Sequence, residues 1–173
     1  KKPTTDFNQL YTPSIPSEPT TTDAAITIDS FIDGLNWAIN TDGALNNCML
    51  FPETGDGQFG TQSNALVLSE ENYYFNSLHY GCMGAAVPAM FGATFAIEDK
   101  LPIAILGDYA FVMNGGTVVS NFIKHNKPGI FFVLDNAGGG TVAVTMGDRE
   151  IAKTAPVDYV KFGESIGIDT VKV

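Results

Sequence analysis

Pro102-Ile103-Ala104-Ile105-Leu106-Gly107-Asp108-Tyr109 and Gly129-Ile130-Phe131-Phe132-Val133-Leu134-Asp135-Asn136-Ala137-Gly138 decide the fold. Each is a short apolar run, rich in β-branched and aromatic residues, that ends in a carboxylate with glycine next to it or three residues on. About one helix of sequence lies between them. A strand, a helix and a second strand make a βαβ unit, whose two strands are parallel. Both polar clusters therefore fall at the carboxyl ends of neighbouring strands, the edge where open α/β sheets bind ligands. A carboxylate and an amide oxygen in a glycine-rich setting suit a hard cation and a phosphate.

Composition narrows the partners. The chain has 173 residues, 45% hydrophobic and 16% charged, enough for one domain with a real core. Its net charge is −10 and its pI about 4.3. Without a basic patch, nucleic acid and anionic membrane surfaces are poor partners. A polyphosphate bound to so acidic a protein needs a metal ion and backbone N–H groups to supply positive field. No apolar run approaches a membrane span, and no stretch reads as a signal peptide, so none is expected. Cys48 and Cys82 lack metal-site spacing. A disulfide is open to them, but a reduced, cytoplasmic protein is the plainer expectation.

The organisation reads outward from the βαβ unit. Residues 1–25, with Pro13, Pro16 and Pro19 among Ser and Thr, are expected to form an extended linker. Residues 26–173 form the domain, read as a piece of a longer chain. Thr27 is placed to cap a helix carrying Ile28, Phe31, Ile32, Leu35 and Ile39 on one face. Cys48–Phe51 reads as a strand and Asn72–Phe75 as a short one. The small residues from Gly81 to Ile97 predict a buried helix packed closely on the sheet, bent at Pro88 or starting late. Pro156–Ile166 predicts an amphipathic helix with proline in its first turn, and Asp169–Val173 a last strand. Strands alternating with helices give an α/β fold of three layers, a mostly parallel sheet covered on both faces.

Two glycine clusters compete. Gly55-Asp56-Gly57-Gln58-Phe59-Gly60 spells G-x-G-x-x-G after a strand. A dinucleotide fingerprint should open a long amphipathic helix, and Thr61–Ser69 is short and polar. A surface loop, or a loop of another phosphate site, remains open. The same stretch holds Gly55-Asp56-Gly57, yet no Asn follows at the end of the next strand, where Gly81-Cys82-Met83-Gly84 stands. Gly107-Asp108-Tyr109 does have such a partner. Residues 110–134 separate it from Asp135-Asn136.

With that spacing the chain resembles the diphosphate-binding domain of thiamine-diphosphate-dependent enzymes, whose signature is Gly-Asp-Gly, a helix and strand, then Asn-Asn. Glu53-Thr54-Gly55 with Phe59 resembles the first cofactor loop of pyruvate and indolepyruvate decarboxylases. Tyr80-Gly81-Cys82-Met83-Gly84, continuing to Val87-Pro88-Ala89 and Phe91-Gly92, resembles their second loop and the helix after it. The similarity covers about 45–173.

The resemblance implies roles. Thiamine diphosphate and Mg²⁺ are the expected cofactors. Asp108, the Asn136 side-chain oxygen and the Gly138 carbonyl would hold the ion. Thr54, Gly55, Gly107, Tyr109, Ala110 and Gly139 would line the diphosphate site. The second loop, Gly81-Cys82-Met83, would meet the aminopyrimidine, Gly81 through its carbonyl and Met83 as a wedge beneath the bent cofactor. No residue of this chain is assigned as catalytic. His79 and His125 read as structural, and Tyr80 and Phe111 as packing.

The activity implied is non-oxidative decarboxylation of a 2-oxo acid. An acetolactate-synthase-like carboligase and a degenerate, non-catalytic fold-mate that stabilises a partner are the alternatives. The family switches on its cofactor with a glutamate from a pyrimidine-binding domain, in the same chain or a partner subunit. The complete protein is accordingly expected to be a homodimer or tetramer, and the isolated chain inactive. Three departures stand out. Tyr109 replaces the last glycine of the signature, Ala110 stands where a serine often lies, and Asp135 replaces the first Asn. No acid follows Asn136 until Asp148, whereas pyruvate decarboxylases carry a glutamate soon after.

Overall fold

The computed structural model describes residues 16–19, 24–43, 45–64, 66–68, 71–77, 79–147 and 149–173. Most of the expected 1–25 linker lies outside them. Four parallel strands form one sheet: β1 (Cys48–Pro52), β2 (Tyr73–Tyr74), β3 (Leu101–Gly107) and β4 (Ile130–Leu134), in the order β2-β1-β3-β4. Cys48 pairs with Leu101 and Pro52 with Ile105; Ile103 pairs with Ile130 and Gly107 with Leu134. From β1 the chain moves to β2 on one side, and from β3 to β4 on the other. The strand order thus reverses between β1 and β3, and that reversal opens a crevice at their carboxyl ends.

Alternation along the strands sorts side chains into two cores. Cys48, Leu50, Ile103 and Ile105 face Leu35 and Ile39 of α1 (Ile28–Thr41). Met49, Phe51, Ala104 and Leu106 face Val87 and Met90 of α3 (Ala86–Ala96) and Val119 and Phe122 of α5 (Gly116–Lys124). The expected three layers are present. Cys48 is fully buried, and burial pushes its thiol up to about 11 against the opposing charge of Lys100. Cys82 is exposed, and neither cysteine is in a disulfide.

The caps explain where the helices start. Thr27 caps α1 as expected, and Ser30 completes a reciprocal capping box with it. α2 (Asp56–Ser63) begins at Gly55, whose φ of +113° suits only glycine. The glycines of the G-x-G-x-x-G stretch serve close approach. A Cβ on Gly57 would lie 2.5 Å from the Ile105 carbonyl oxygen, and one on Gly60 would lie 2.6 Å from Ile28 Cγ2.

The small-residue segment takes the expected late start: it is helical only from Ala86, so Pro88 sits in the first turn, where its missing N–H costs nothing. Other expectations are corrected. Close packing holds at Val87 and Met90. Ala89 and Ala93 instead border an apolar cavity of about 320 Å³ against Leu50, Phe51 and Tyr74. The helix expected from Pro156 starts at Tyr159 as α7 (Tyr159–Ser165), because the Asp158 carboxylate caps it by accepting the Lys161 N–H at 3.1 Å. Asp169–Val173 is not a strand. The chain turns back on α7 through Ile168 N–H to Gly163 O at 2.9 Å and the Thr170 hydroxyl to Val160 O at 3.3 Å.

Candidate functional site

Three loops leave the sheet at the β1–β3 reversal. The first follows β1, and its Glu53 N–H continues the ladder to Ile105 O at 2.7 Å. The second, Gly81–Ala85, precedes α3. The third, Asp135–Gly139, follows β4 and leads into α6 (Gly140–Met146). Between them stands the helical run after β3: a first turn, α4 (Asp108–Ala110), a wide π-helical turn over Phe111–Gly115, and α5. Phe111 packs its ring on Gly116, where a Cβ would lie 2.6 Å from it, and on Tyr159 and Phe162. Its expected packing role holds. π turns recur at functional sites, and this one receives the second loop. Asn114 donates to Gly84 O at 3.2 Å, and Gly84 adopts φ +83° with no room for a Cβ beside Asn114.

The loops enclose a cavity of about 30 Å³. Thr54, Gly55, Met83, Gly107, Tyr109, Ala110, Asn136, Gly138 and Gly139 line it. Three expected residues stand off. Gly81 and Cys82 are exposed beside it, with Gly81 at φ +57° against Thr54. Asp108 lies beneath the floor and is completely buried. One Asp108 oxygen accepts the Thr154 hydroxyl, and the other, Oδ1, has no hydrogen-bond partner. Thr54 Oγ1 is likewise buried and unpartnered. Two unsatisfied polar atoms so close to one cavity call for an external partner.

The third loop is shaped by backbone. Ala137 takes φ +63°, and Asp135 and Asn136 turn their side-chain oxygens onto the Ala137 and Gly138 N–H groups, each at 3.3 Å. Asn136 Nδ2 donates across the cavity to Asp56 Oδ2 at 3.0 Å. The segment 151–154 straps this loop down. Gly138 bridges Lys153, and Gly139 N–H donates to Ala152 O at 2.7 Å. Tyr109 belongs to the strap: its hydroxyl donates to Ile151 O at 2.9 Å, and its ring lies against Gly139. A Cβ on Gly138 would lie 2.4 Å from Ala152 O, so only glycine fits there.

The electrostatics are one-sided. Asp56, Asp108 and Asp135 converge on this edge, and among the described residues no lysine or arginine lines the cavity. Burial pushes the Tyr159 phenol up to about 12, and the Asp108 and Asp135 carboxylates push it the same way. Glu53, 1% exposed, is held above the usual carboxylate range by burial, opposed by the N–H groups of Ala86 and Thr54. Among the described residues no three His, Cys, Asp or Glu side chains gather as a metal cluster. An ion at Asp108 would thus draw its remaining protein ligands from amide and carbonyl oxygens.

Sequence reasoning missed Asp56, Gly140 and Thr141 in the lining, and Thr154 on Asp108. The Gly55-Asp56-Gly57 triplet carried a signal for Asp56; nothing local marks Thr154. Tyr80 was expected to pack and is 88% exposed, and His79 is exposed as well. The turn preceding α3 carries both on its outer side. His125 caps the C-terminal end of α5 beside the Phe91 and Phe95 rings, a structural place.

Comparison with known proteins agrees with this geometry. The family described as "Thiamine pyrophosphate enzyme, C-terminal TPP binding domain" matches residues 53–173. A probable pyruvate decarboxylase of Schizosaccharomyces pombe is 28% identical over 127 residues, 73% of this chain and 22% of that protein. Pyruvate decarboxylase 1 of Pisum sativum is 33% identical over 114 residues, 66% of this chain and 18% of that protein. A 3D-(3,5/4)-trihydroxycyclohexane-1,2-dione hydrolase of Clostridium tetani is 29% identical over 120 residues, 59% of this chain and 18% of that protein. The chain spans about a fifth of the length of these relatives. With the three loops at one switch point and the match running through all of them, the chain belongs to the C-terminal TPP-binding domain family of thiamine pyrophosphate enzymes.

Proposed function

We propose that this domain binds thiamine diphosphate through Mg²⁺ and serves a 2-oxo acid decarboxylase. One observation carries the reading: Asp108 is completely buried at the strand-order reversal, with Oδ1 unpartnered. An ionised carboxylate so placed is costly unless a cation meets it. The donor set is all oxygen, as magnesium prefers, and an acidic cavity with no lysine among the described residues that line it needs a metal to hold a diphosphate. The residues therefore fit the group. Asp108, Asn136 and the Gly138 carbonyl would hold the ion, and Thr54 Oγ1 and the loop N–H groups would hold phosphate oxygens. Met83 would support the rings from below.

When bound, the cofactor supplies an electron sink for carbon–carbon cleavage. The chain's own contribution is binding and orientation. The pyruvate decarboxylases among the relatives support the 2-oxo acid assignment, as does the second-loop sequence.

The cavity of about 30 Å³ is far below the roughly 300 Å³ of ordinary ligand sites. The Asn136–Asp56 hydrogen bond spans it. That tight cavity, with Tyr109 in its wall, favours one second reading, a fold-mate that binds no cofactor and stabilises a partner. Calorimetric titration of the full-length protein with thiamine diphosphate and Mg²⁺ separates the two. Binding that requires Mg²⁺ and disappears in Asp108→Ala is expected. No binding with or without metal would refute the cofactor reading, and full binding by Asp108→Ala would refute the metal assignment.

A further inference from the structure

We propose that Glu53 is a positioning residue of the cofactor site, a buried carboxylate that fixes the first loop against the segment carrying Met83. The inference deepens the cofactor reading above and rests on it. Glu53 is 1% exposed and belongs to none of the expected ligand sets. Oε1 accepts the Thr54 N–H at 3.0 Å, and Oε2 accepts the Ala86 N–H at 2.9 Å. Its own N–H is fixed to Ile105 O of β3. The carboxylate thus carries the position of the sheet to both loops at once. Thr54 and Met83 line the same cavity, one on each side of this link.

The chemistry of the residue follows from what it must accept. α3 begins after Ala85 with no side-chain cap of its own, so its first N–H groups need an outside acceptor. Thr54 N–H turns inward and needs another. Glutamine offers one acceptor and would aim an amide donor at the second N–H; an apolar residue offers none. Only a carboxylate of this reach satisfies both. No salt bridge to Glu53 is formed among the described residues, so charge pairing is not its role.

The test uses the full-length protein and reads thiamine diphosphate affinity by calorimetry at saturating Mg²⁺, with the thermal midpoint measured alongside. Glu53→Gln loses one of the two bonds, and Glu53→Asp keeps the charge but is too short to reach both. Each is expected to weaken cofactor affinity about tenfold or more, the scale of a hydrogen bond to a charged group. Ile39→Ala, in the core on the opposite face of the sheet, is the reference: it should lower the midpoint and leave affinity unchanged. Where Glu53→Gln does not fold, Glu53→Asp carries the test.

Wild-type affinity in the Glu53 variants overturns the proposal. So does an Ile39→Ala protein whose affinity falls as far as theirs. A wild-type protein that binds no cofactor overturns both this proposal and the reading beneath it. Binding that Asp108→Ala abolishes and the Glu53 variants keep overturns this proposal alone.

Discussion

Tyr109 stands where the signature has its last glycine, and the structure gives that exchange a place. Its ring flanks Gly139 in the cavity wall, and its hydroxyl ties down the Ile151 carbonyl. The backbone at 109 is helical, so glycine is not needed there for conformation. What the tyrosine changes is space. Tyr109→Gly should widen the cavity, release the 151–154 strap and tighten thiamine diphosphate binding several-fold. It should also lower stability by about 1 kcal/mol, for the lost hydrogen bond and the glycine's helix penalty. Tyr109→Phe keeps the ring and loses only the hydroxyl, so its affinity should stay near wild type. Calorimetry and urea denaturation check both. Weaker binding by Tyr109→Gly would mean that the ring contributes to the site. The residue scale was also the least legible in sequence. Asp108 and Asn136 were visible because glycine and spacing mark them. Glu53 and Asp56 lie in stretches the sequence marks, but their roles were not legible: with Thr154, they act through partners 33, 80 and 46 residues away, and nothing local marks those contacts.

Elements were more legible, wherever a period or a cap decided them. The β3–β4 unit and α1 follow from apolar runs, a 3.6-residue stripe and a Thr27 cap. The errors lie where two start signals compete or where pairing was assumed. Pro156 looked like the start of α7, and the Asp158 cap won. Asp169–Val173 alternates like a strand, yet it folds onto Gly163, whose absent Cβ leaves room for Thr170. α2 is the element whose sequence misleads most. Its glycines suggest a dinucleotide loop, but they let a short helix sit directly on β3 and α1. Gly57→Ala tests that account. The added methyl would lie 2.5 Å from a main-chain carbonyl that cannot rotate away. α2 must shift outward, at about 1–3 kcal/mol of stability. The first loop should move with it and weaken cofactor binding. Unchanged urea stability would show that close packing does not explain this glycine.

At the scale of the whole molecule, the site edge is both acidic and apolar. Tyr80, Val112, Met113, Val144, Met146 and Ile151 are all between 46% and 88% exposed, and all lie in segments that follow strand carboxyl ends. No described helix is long and apolar enough to cross a membrane, so a bilayer-spanning helix does not account for them. Exposed apolar side chains in segments beside a ligand site suit contact with another protein domain. Under the proposed cofactor reading, the expected occupant is a pyrimidine-binding domain, in the same chain or a partner subunit. Among the described residues, none is placed to switch on the cofactor's ring amine: the cavity wall holds Asp56, which Asn136 engages, and the buried Asp108 lies below it. The polypeptide of residues 1–173 should therefore give no measurable decarboxylation of 2-oxo acids, even with saturating thiamine diphosphate and Mg²⁺. A coupled aldehyde assay with pyruvate and with a bulkier aromatic 2-oxo acid checks this. The full-length protein should turn over at least one of them under the same conditions. Turnover by residues 1–173 alone would show that the activating group lies within this domain, and the division of labour argued here would fail.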